Sequence, residues 1–205
     1  KGKTPEEKVK VVRTGDETRP LKCKNHDNNI LAGEGNFAFA KSIKKYACEI
    51  QNGFVAGRNF LCNVVGIDAF ARFASFPEHW EFLPLIILFD LMSAFPRVAH
   101  QWLFLTLKAA GADFYLLNFI KALYKNVRVF INDGTQFSFA FFAKSGVLQG
   151  CPLSASLFVI AINPFLVNFQ KILVGASYGV LYACADDLGG ALLRLSALSF
   201  IYPIF

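Results

Sequence analysis

Three carboxylates stand beside side chains that prefer burial. Asp90 ends the continuous apolar run LIILF at residues 85–89, and Asp186-Asp187 lies between two apolar arms at residues 179–184 and 188–193. A buried carboxylate without a partner is expensive, so an Asp at the end of an apolar strand calls for a cation, a hydrogen-bond cage or a turn role. If the strand of Asp90 runs beside the hairpin of Asp186-Asp187, the carboxylates converge. A hard cation such as Mg²⁺ is held characteristically by one or two carboxylates together with waters and substrate phosphates. Two such ions about 4 Å apart activate an attacking hydroxyl and stabilise the leaving oxygen of an in-line phosphoryl displacement. Each carboxylate also has a plainer reading, Asp-Asp being a common turn pair and Asp90 a possible cap for the next helix.

Between them lies SGVLQGCPLSASLF at residues 145–158, with Gly146, Gln149, Gly150, Pro152 and a capping serine ahead of a long apolar stretch. The glycines permit close approach of a bulky ligand to the backbone, and Gln149 offers both a donor and an acceptor. A loop-to-helix junction with Pro near the first turn explains the same residues, and both readings stay open on these grounds.

The elements that would position these groups can be read from periodicity. Residues 37–50 place Phe39, Ile43, Tyr46, Ala47 and Ile50 at helical steps, with Asn36 as a cap and Gly53 as a stop. The run ending in Asp90 has the pattern of a strand buried on both faces. Val98, Trp102, Leu105 and Ala109 form one helical stripe that Gly111 ends, and Asp113 caps a second helix reaching Tyr124. Asn132-Asp133-Gly134 marks a tight turn between strands at residues 127–131 and 136–142. Residues 153–173 read as a long buried helix that Pro164 kinks or divides, and residues 179–193 as a hairpin with Asp186-Asp187 at its tip. A small mixed or antiparallel sheet backed by helices follows, so the class is α+β.

Composition narrows the setting. The 205 residues carry 54% hydrophobic and 18% charged side chains with 23 Phe, which excludes a disordered tail and allows one domain with an attached lobe. Net charge is +6, and the basic balance is concentrated in the first 50 residues, as suits a lobe that meets a polyanion or simply a solvated face. Five cysteines with no C-x-x-C pair argue against a disulfide framework or zinc knuckle, and Cys23 with His26 finds too few partners for a four-ligand site. The apolar runs at 82–89, 152–169 and 188–205 are short or interrupted by Pro, Asn, Gly or Arg, so no membrane partner is expected. The first residues, starting at Lys1, lack the apolar core of a signal peptide; a fragment of an intracellular protein is expected.

GVLQGCPLSASLF at residues 146–158 closely resembles the G-V-x-Q-G-C-P-L-S-P-x-L-F block of reverse transcriptases from non-LTR (LINE-type) retrotransposons and their group II intron relatives. Other blocks follow in family order. QNGFVAGR at residues 51–58 resembles Q-x-G-F-x-x-G-R of the fingers, DLMSAFPRVAH at 90–100 resembles D-x-x-K-A-F-D-x-V-x-H, ADD at 185–187 resembles the end of Y-A-D-D, and TRPL at 18–21 resembles the R-P-[IL] start of the fingers.

The resemblance implies a right-hand polymerase with the thumb absent. Residues 1–17 would be a basic polar segment, 18–193 the reverse transcriptase domain (18–84 fingers, 85–193 palm with inserted fingers elements), and 194–205 an apolar tail. It implies an RNA template, a DNA primer and deoxynucleoside triphosphates as partners, two Mg²⁺ ions (or Mn²⁺) as cofactors, and an intracellular location, the nucleus being open to a retroelement. Asp90, Asp186 and Asp187 look like the metal-binding triad, with Asp90 and Asp186 as principal ligands. Phe95 falls at the position whose ring excludes the 2′-hydroxyl, its plainer role being a core Phe. Gln149 and Gly150 look like part of the nucleotide pocket, and Arg19 like the arginine that grips the triphosphate. Arg58 divides between template contact and fold support. Ser93 replaces the family lysine, Pro96 the second acidic residue and Cys184 the aromatic before Ala185; loss of that ring would weaken packing beneath the primer end. The other classes are a catalytically inactive retroelement relic that keeps the palm, an RNA-dependent RNA polymerase, disfavoured by Ala185, and a membrane protein.

Overall fold

The computed structural model describes residues 26–204 except 133 and 176. Arg19 and its block, the basic segment 1–17 and Cys23 lie outside the described residues. The chain runs α1 (His26–Tyr46), α2 (Leu61–Ala74), a 3-10 segment (Pro77–Phe82), β1 (Leu85–Asp90), α3 (Ala94–Arg97), α4 (His100–Ala109), α5 (Phe114–Tyr124), β2 (Arg128–Asn132), β3 (Phe137–Phe142), α6 (Ser154–Gly175), β4 (Gly179–Cys184), β5 (Asp187–Leu192) and α7 (Leu198–Ile201). β1, β5 and β4 form an antiparallel sheet in that order, and β2 pairs with β3 in a separate hairpin.

α6 is the centre of the core. Leu157, Phe158, Ile160, Leu166, Phe169 and Leu173 are all fully buried, each contributing about 1.5–3 kcal/mol of transfer free energy. They meet Ile43 of α1, Leu103 and Leu107 of α4, Ile120 of α5, and Leu181, Leu188 and Leu192 of the sheet. Residues 194–205, expected as a tail, send Ala197 and Ile201 into the same core. Pro164 neither divides nor ends α6. It leaves the Ile160 carbonyl without its i+4 donor, and one residue on, the Trp102 indole N–H donates to Ala161 O at 2.8 Å. By length and apolarity Ser154–Leu173 could cross a membrane, contrary to the expectation that no run qualifies, but most of it is enclosed by the chain's own helices and sheet.

Three further expectations are corrected. The first helix begins by His26, well before residue 37, and ends at Tyr46, so Asn36 is an interior residue and not a cap; its Oδ1 accepts the Ser156 hydroxyl at 2.6 Å. Gly33 and Gly35 hid the helix from a propensity reading, since each costs about 1 kcal/mol against Ala. Gly35 is there because a Cβ would stand 2.5 Å from Phe119 Cε1 of α5. The stripe assigned to Val98, Trp102, Leu105 and Ala109 is out of phase. Val98 and Ala99 are extended between α3 and α4, and the buried face of α4 is His100, Leu103, Thr106 and Leu107. Finally, β1 is an edge strand buried on one face only, with Ile86 and Leu88 60% and 80% exposed. The end signals do hold: Gly111 has φ +81°, and Asp113 Oδ1 accepts the Leu116 N–H at 2.7 Å.

Candidate active site

The β4–β5 hairpin closes from the Cys184–Asp187 pair through Ala185 and Asp186, with Ala185 at φ +60°. On the other side of β5, Asp187 is the register partner of Asp90. Directly opposed residues of an antiparallel pair have Cβ atoms about 4.5–5.5 Å apart on one face, where like charges repel. Asp90 and Asp187 are exposed and Asp186 is half-buried. The neighbours of these carboxylates are buried (Ala185, Leu188) or half-buried (Phe89, Leu91), yet Asp90 and Asp187 emerge at the end of the sheet, so the full cost of burying a charge is not incurred. The chain therefore gathers at one sheet end the three carboxylates that the sequence separates by 96 positions.

A fingers-block segment grips this turn. Gln51, wholly buried, accepts the Gly53 N–H (2.8 Å) and the Ala185 N–H (2.9 Å) on Oε1 and donates from Nε2 to Ala185 O (3.1 Å). Its backbone forms a parallel bridge with Ala183. Asn52 donates to Asn63 of α2, which donates in turn to Ala183 O at 3.1 Å. A Cβ on Gly53 would overlap Ala185 N and stand 2.8 Å from the Cys184 carbonyl carbon. None of these roles is visible in local sequence, although the Q-x-G string carries both Gln51 and Gly53.

The SGVLQG loop is tied to the segment that follows Asp90. Val147 N donates to Phe95 O (3.0 Å), Gly146 N to Val98 O (2.7 Å), and a His100 ring nitrogen lies 3.1 Å from Gly146 O. The Phe95 ring stacks on Phe158 at 4.2 Å and 8° and meets Phe54 edge-on at 6.0 Å. Two cavities of about 390 Å³ border this ring set, an apolar one reaching Phe158 and a more polar one reaching Phe54, Arg58 and Ser156. Gln149 is half-buried. Gly150 has φ +76°, and a Cβ there would meet nothing within 4 Å, so open space rather than chain packing lies above it.

Beneath the loop the Tyr124 hydroxyl lies 3.4 Å from the Leu148 N–H, and burial pushes its pKa up to about 12. The unfolded phenol ionises first as pH rises past about 10. Tyr124 thus favours the folded state fully below pH 10, and this contribution is lost as pH rises to about 12. Urea melts across that window should show a falling stability that Tyr124→Phe flattens.

Arg58 is spent on the fold. Its guanidinium donates to the carbonyls of Cys48 (2.5 Å), Gln51 (2.8 Å), Ala47 (3.0 Å) and Lys44 (3.4 Å), closing the end of α1 onto the fingers block. Of the two roles the sequence left open, this geometry supports fold support. Arg58→Ala is expected to cost about 3 kcal/mol in denaturant melts, because charge-assisted bonds contribute about 1.5–3 kcal/mol each and are not additive. Arg58→Lys should recover little, a single ammonium being unable to span four carbonyls.

Among the described residues no three His, Cys, Asp or Glu groups close into a ready-made metal cage. The opposed Asp90 and Asp187, with Asp186 in the adjoining turn, supply hard oxygen donors of the kind Mg²⁺ takes from protein when waters and phosphates complete its shell. The residues present fit the ion.

A helix-backed antiparallel sheet with carboxylates at its open end, a fingers block locked onto the hairpin and a glycine loop beside them are the arrangement of a fingers-and-palm fold. The chain belongs to the reverse transcriptase (RNA-dependent DNA polymerase) family, whose model matches residues 40–189. It is 31% identical over 180 residues to the Transposon TX1 uncharacterized 149 kDa protein of Xenopus laevis, covering 83% of this chain and 13% of that protein. This places it with the non-LTR retrotransposon reverse transcriptase domains. Among solved structures it is similar to apo telomerase from Candida tropicalis truncated from the C-terminal domain, with TM-score 0.59 and 16% identity over 83% of this chain and 36% of that one. It is also similar to apo telomerase from the same organism, with TM-score 0.52 and 14% identity over 89% of this chain and 33% of that one. These two likenesses support the fingers-and-palm fold.

Proposed function

We propose that this chain carries the polymerising centre of its parent protein and adds deoxynucleotides to a DNA primer on an RNA template. In each addition the primer 3′-hydroxyl gives up its proton to solvent as its oxygen bonds to the α-phosphorus of the triphosphate, the bond from that phosphorus to the α,β-bridging oxygen breaks, and pyrophosphate leaves. The observation that carries the proposal is the register of β1 and β5, which sets Asp90 against Asp187 beside the turn of Asp186. Mg²⁺ held by Asp90, Asp186 and Asp187 would supply charge neutralisation at the transferring phosphoryl group.

The chain's own residues do the positioning. Phe95, backed by Phe158 and Phe54, presents a rigid ring edge to the sugar and excludes a 2′-hydroxyl. Gln149 and the Gly150 backbone offer the base and sugar an amide and an open approach. Arg19, outside the described residues, would grip the triphosphate. Phe95→Ala is expected to raise ribonucleotide use relative to deoxynucleotide use by about tenfold or more. Competition incorporation on one template measures that ratio, and an unchanged ratio returns Phe95 to a packing role.

Extension of a DNA primer on an RNA template with Mg²⁺, set beside Asp186→Asn, tests the function itself. Extension by the unmodified chain and none by the variant is expected; identical traces would leave the inactive relic as the reading. Cys184, standing where the family carries an aromatic before Ala185, favours that second reading.

A further inference from the structure

We infer that Gln51 is the positioning residue of the carboxylate turn; the inference rests on the polymerase reading of that turn. One side-chain amide meets both backbone hydrogen-bonding groups of Ala185, accepting its N–H at 2.9 Å and donating to its carbonyl at 3.1 Å. Elsewhere in the sheet a neighbouring strand performs that service. Ala185 requires it, because φ +60° is a sparsely populated conformation for a residue with a Cβ. Ala185 is also the residue that turns the chain so that Asp186 lies between the hairpin arms.

The amide orientation is fixed by chemistry. Oε1 faces two N–H groups, of Gly53 and Ala185, and a flipped amide would oppose donors with a donor. The backbone around Gln51 secures Ala183 of β4, two residues before Ala185, as well: Ala183 N donates to Ile50 O and Asn52 N to Ala183 O, each at 2.8 Å. Side chain and backbone together tie the fingers block to the strand end and to the turn, across 134 positions of sequence. Groups that orient metal-binding side chains from behind typically account for about 10–100-fold in metal affinity. Gln51 acts in that way through the Ala185 backbone. The competing reading is a satisfied core amide that serves stability alone.

The two readings separate on a metal readout at constant fold. Gln51→Met keeps the length and volume without donor or acceptor; Gln51→Glu keeps the acceptor for the two N–H groups and loses the donor to Ala185 O. With folding monitored by circular dichroism, Mn²⁺ affinity is measured by electron paramagnetic resonance. Gln51→Met is expected to bind Mn²⁺ about 10–100-fold more weakly, with Gln51→Glu between it and the unmodified chain. In primer extension kcat falls and KM for the nucleotide holds. A folded Gln51→Met that binds Mn²⁺ as the unmodified chain does overturns the inference. Should neither variant fold, amide hydrogen exchange on the unmodified chain with and without Mn²⁺ decides: an Ala185 N–H whose protection rises on Mn²⁺ binding supports the inference, and one whose exchange is indifferent to Mn²⁺ overturns it. Mn²⁺ binding that Gln51→Met weakens, in a protein that extends no primer, contradicts the polymerase reading and supports the positioning role.

Discussion

Asp90→Asn is expected to lower kcat for nucleotide addition by at least about 10³-fold while leaving the melting temperature unchanged or slightly raised. The catalytic loss follows from removing a carboxylate whose ion stabilises transition-state charge by several kcal/mol, at about 1.4 kcal/mol per tenfold in rate. The stability effect has the opposite sign because Asp90 faces Asp187 across β1 and β5, and opposed like charges cost about 0.2–1 kcal/mol. Relief of strain together with loss of activity is the mark of a group kept for chemistry. Asp68 is the control, an exposed carboxylate paired with Arg72 at 2.8 Å on α2. Asp68→Asn should change neither stability nor rate measurably, as exposed i,i+4 pairs contribute little. Single-turnover primer extension and thermal melts on the three proteins give both quantities.

Gly53→Ala should damage both quantities. The added methyl would overlap Ala185 N and press on the Cys184 carbonyl carbon, and both obstacles are backbone, so no flexible side chain can yield. Overpacking of this kind costs about 1–3 kcal/mol, and the fold relieves it by pushing the Ala185–Asp186 turn outward. A displacement of about 1 Å at a reacting centre costs about 10²-fold in rate. Melting temperature and kcat should therefore fall together, whereas Asp90→Asn separates them. A Gly53→Ala protein with normal melting and normal kcat would show that the close approach of fingers block and hairpin has no bearing on the site.

The parts of this fold that were legible in sequence are those that local chemistry dictates. The apolar run of β1 ending in Asp90, the hairpin around Asp186, the Asp113 cap and the Gly111 stop each rest on residues within a few positions of one another. The phase of α4 was misread because the break at Val98 and Ala99 shifts the helical count, and the early start of α1 was masked by Gly33 and Gly35, of which Gly35 packs against Phe119. One-sided burial of β1 could not be read because an apolar run does not reveal whether anything packs on the strand's second face. In the site, the carboxylates and the glycine loop stood out by type. Gln51 did not: its work is done on a turn 134 residues away, and a buried glutamine has no periodic signature. Arg58 was recognisable as an important cation, but which carbonyls it would serve depends on where α1 ends.

The claim beneath all of this is that divalent cations bind at the shared end of β1 and the β4–β5 hairpin. Anomalous diffraction from crystals grown with Mn²⁺ and a non-hydrolysable deoxynucleoside triphosphate tests it directly. A peak at coordination distance from the carboxylates of Asp90 and of Asp186 or Asp187 is the predicted result. Occupied Mn²⁺ sites elsewhere, with these three carboxylates bare, would contradict it.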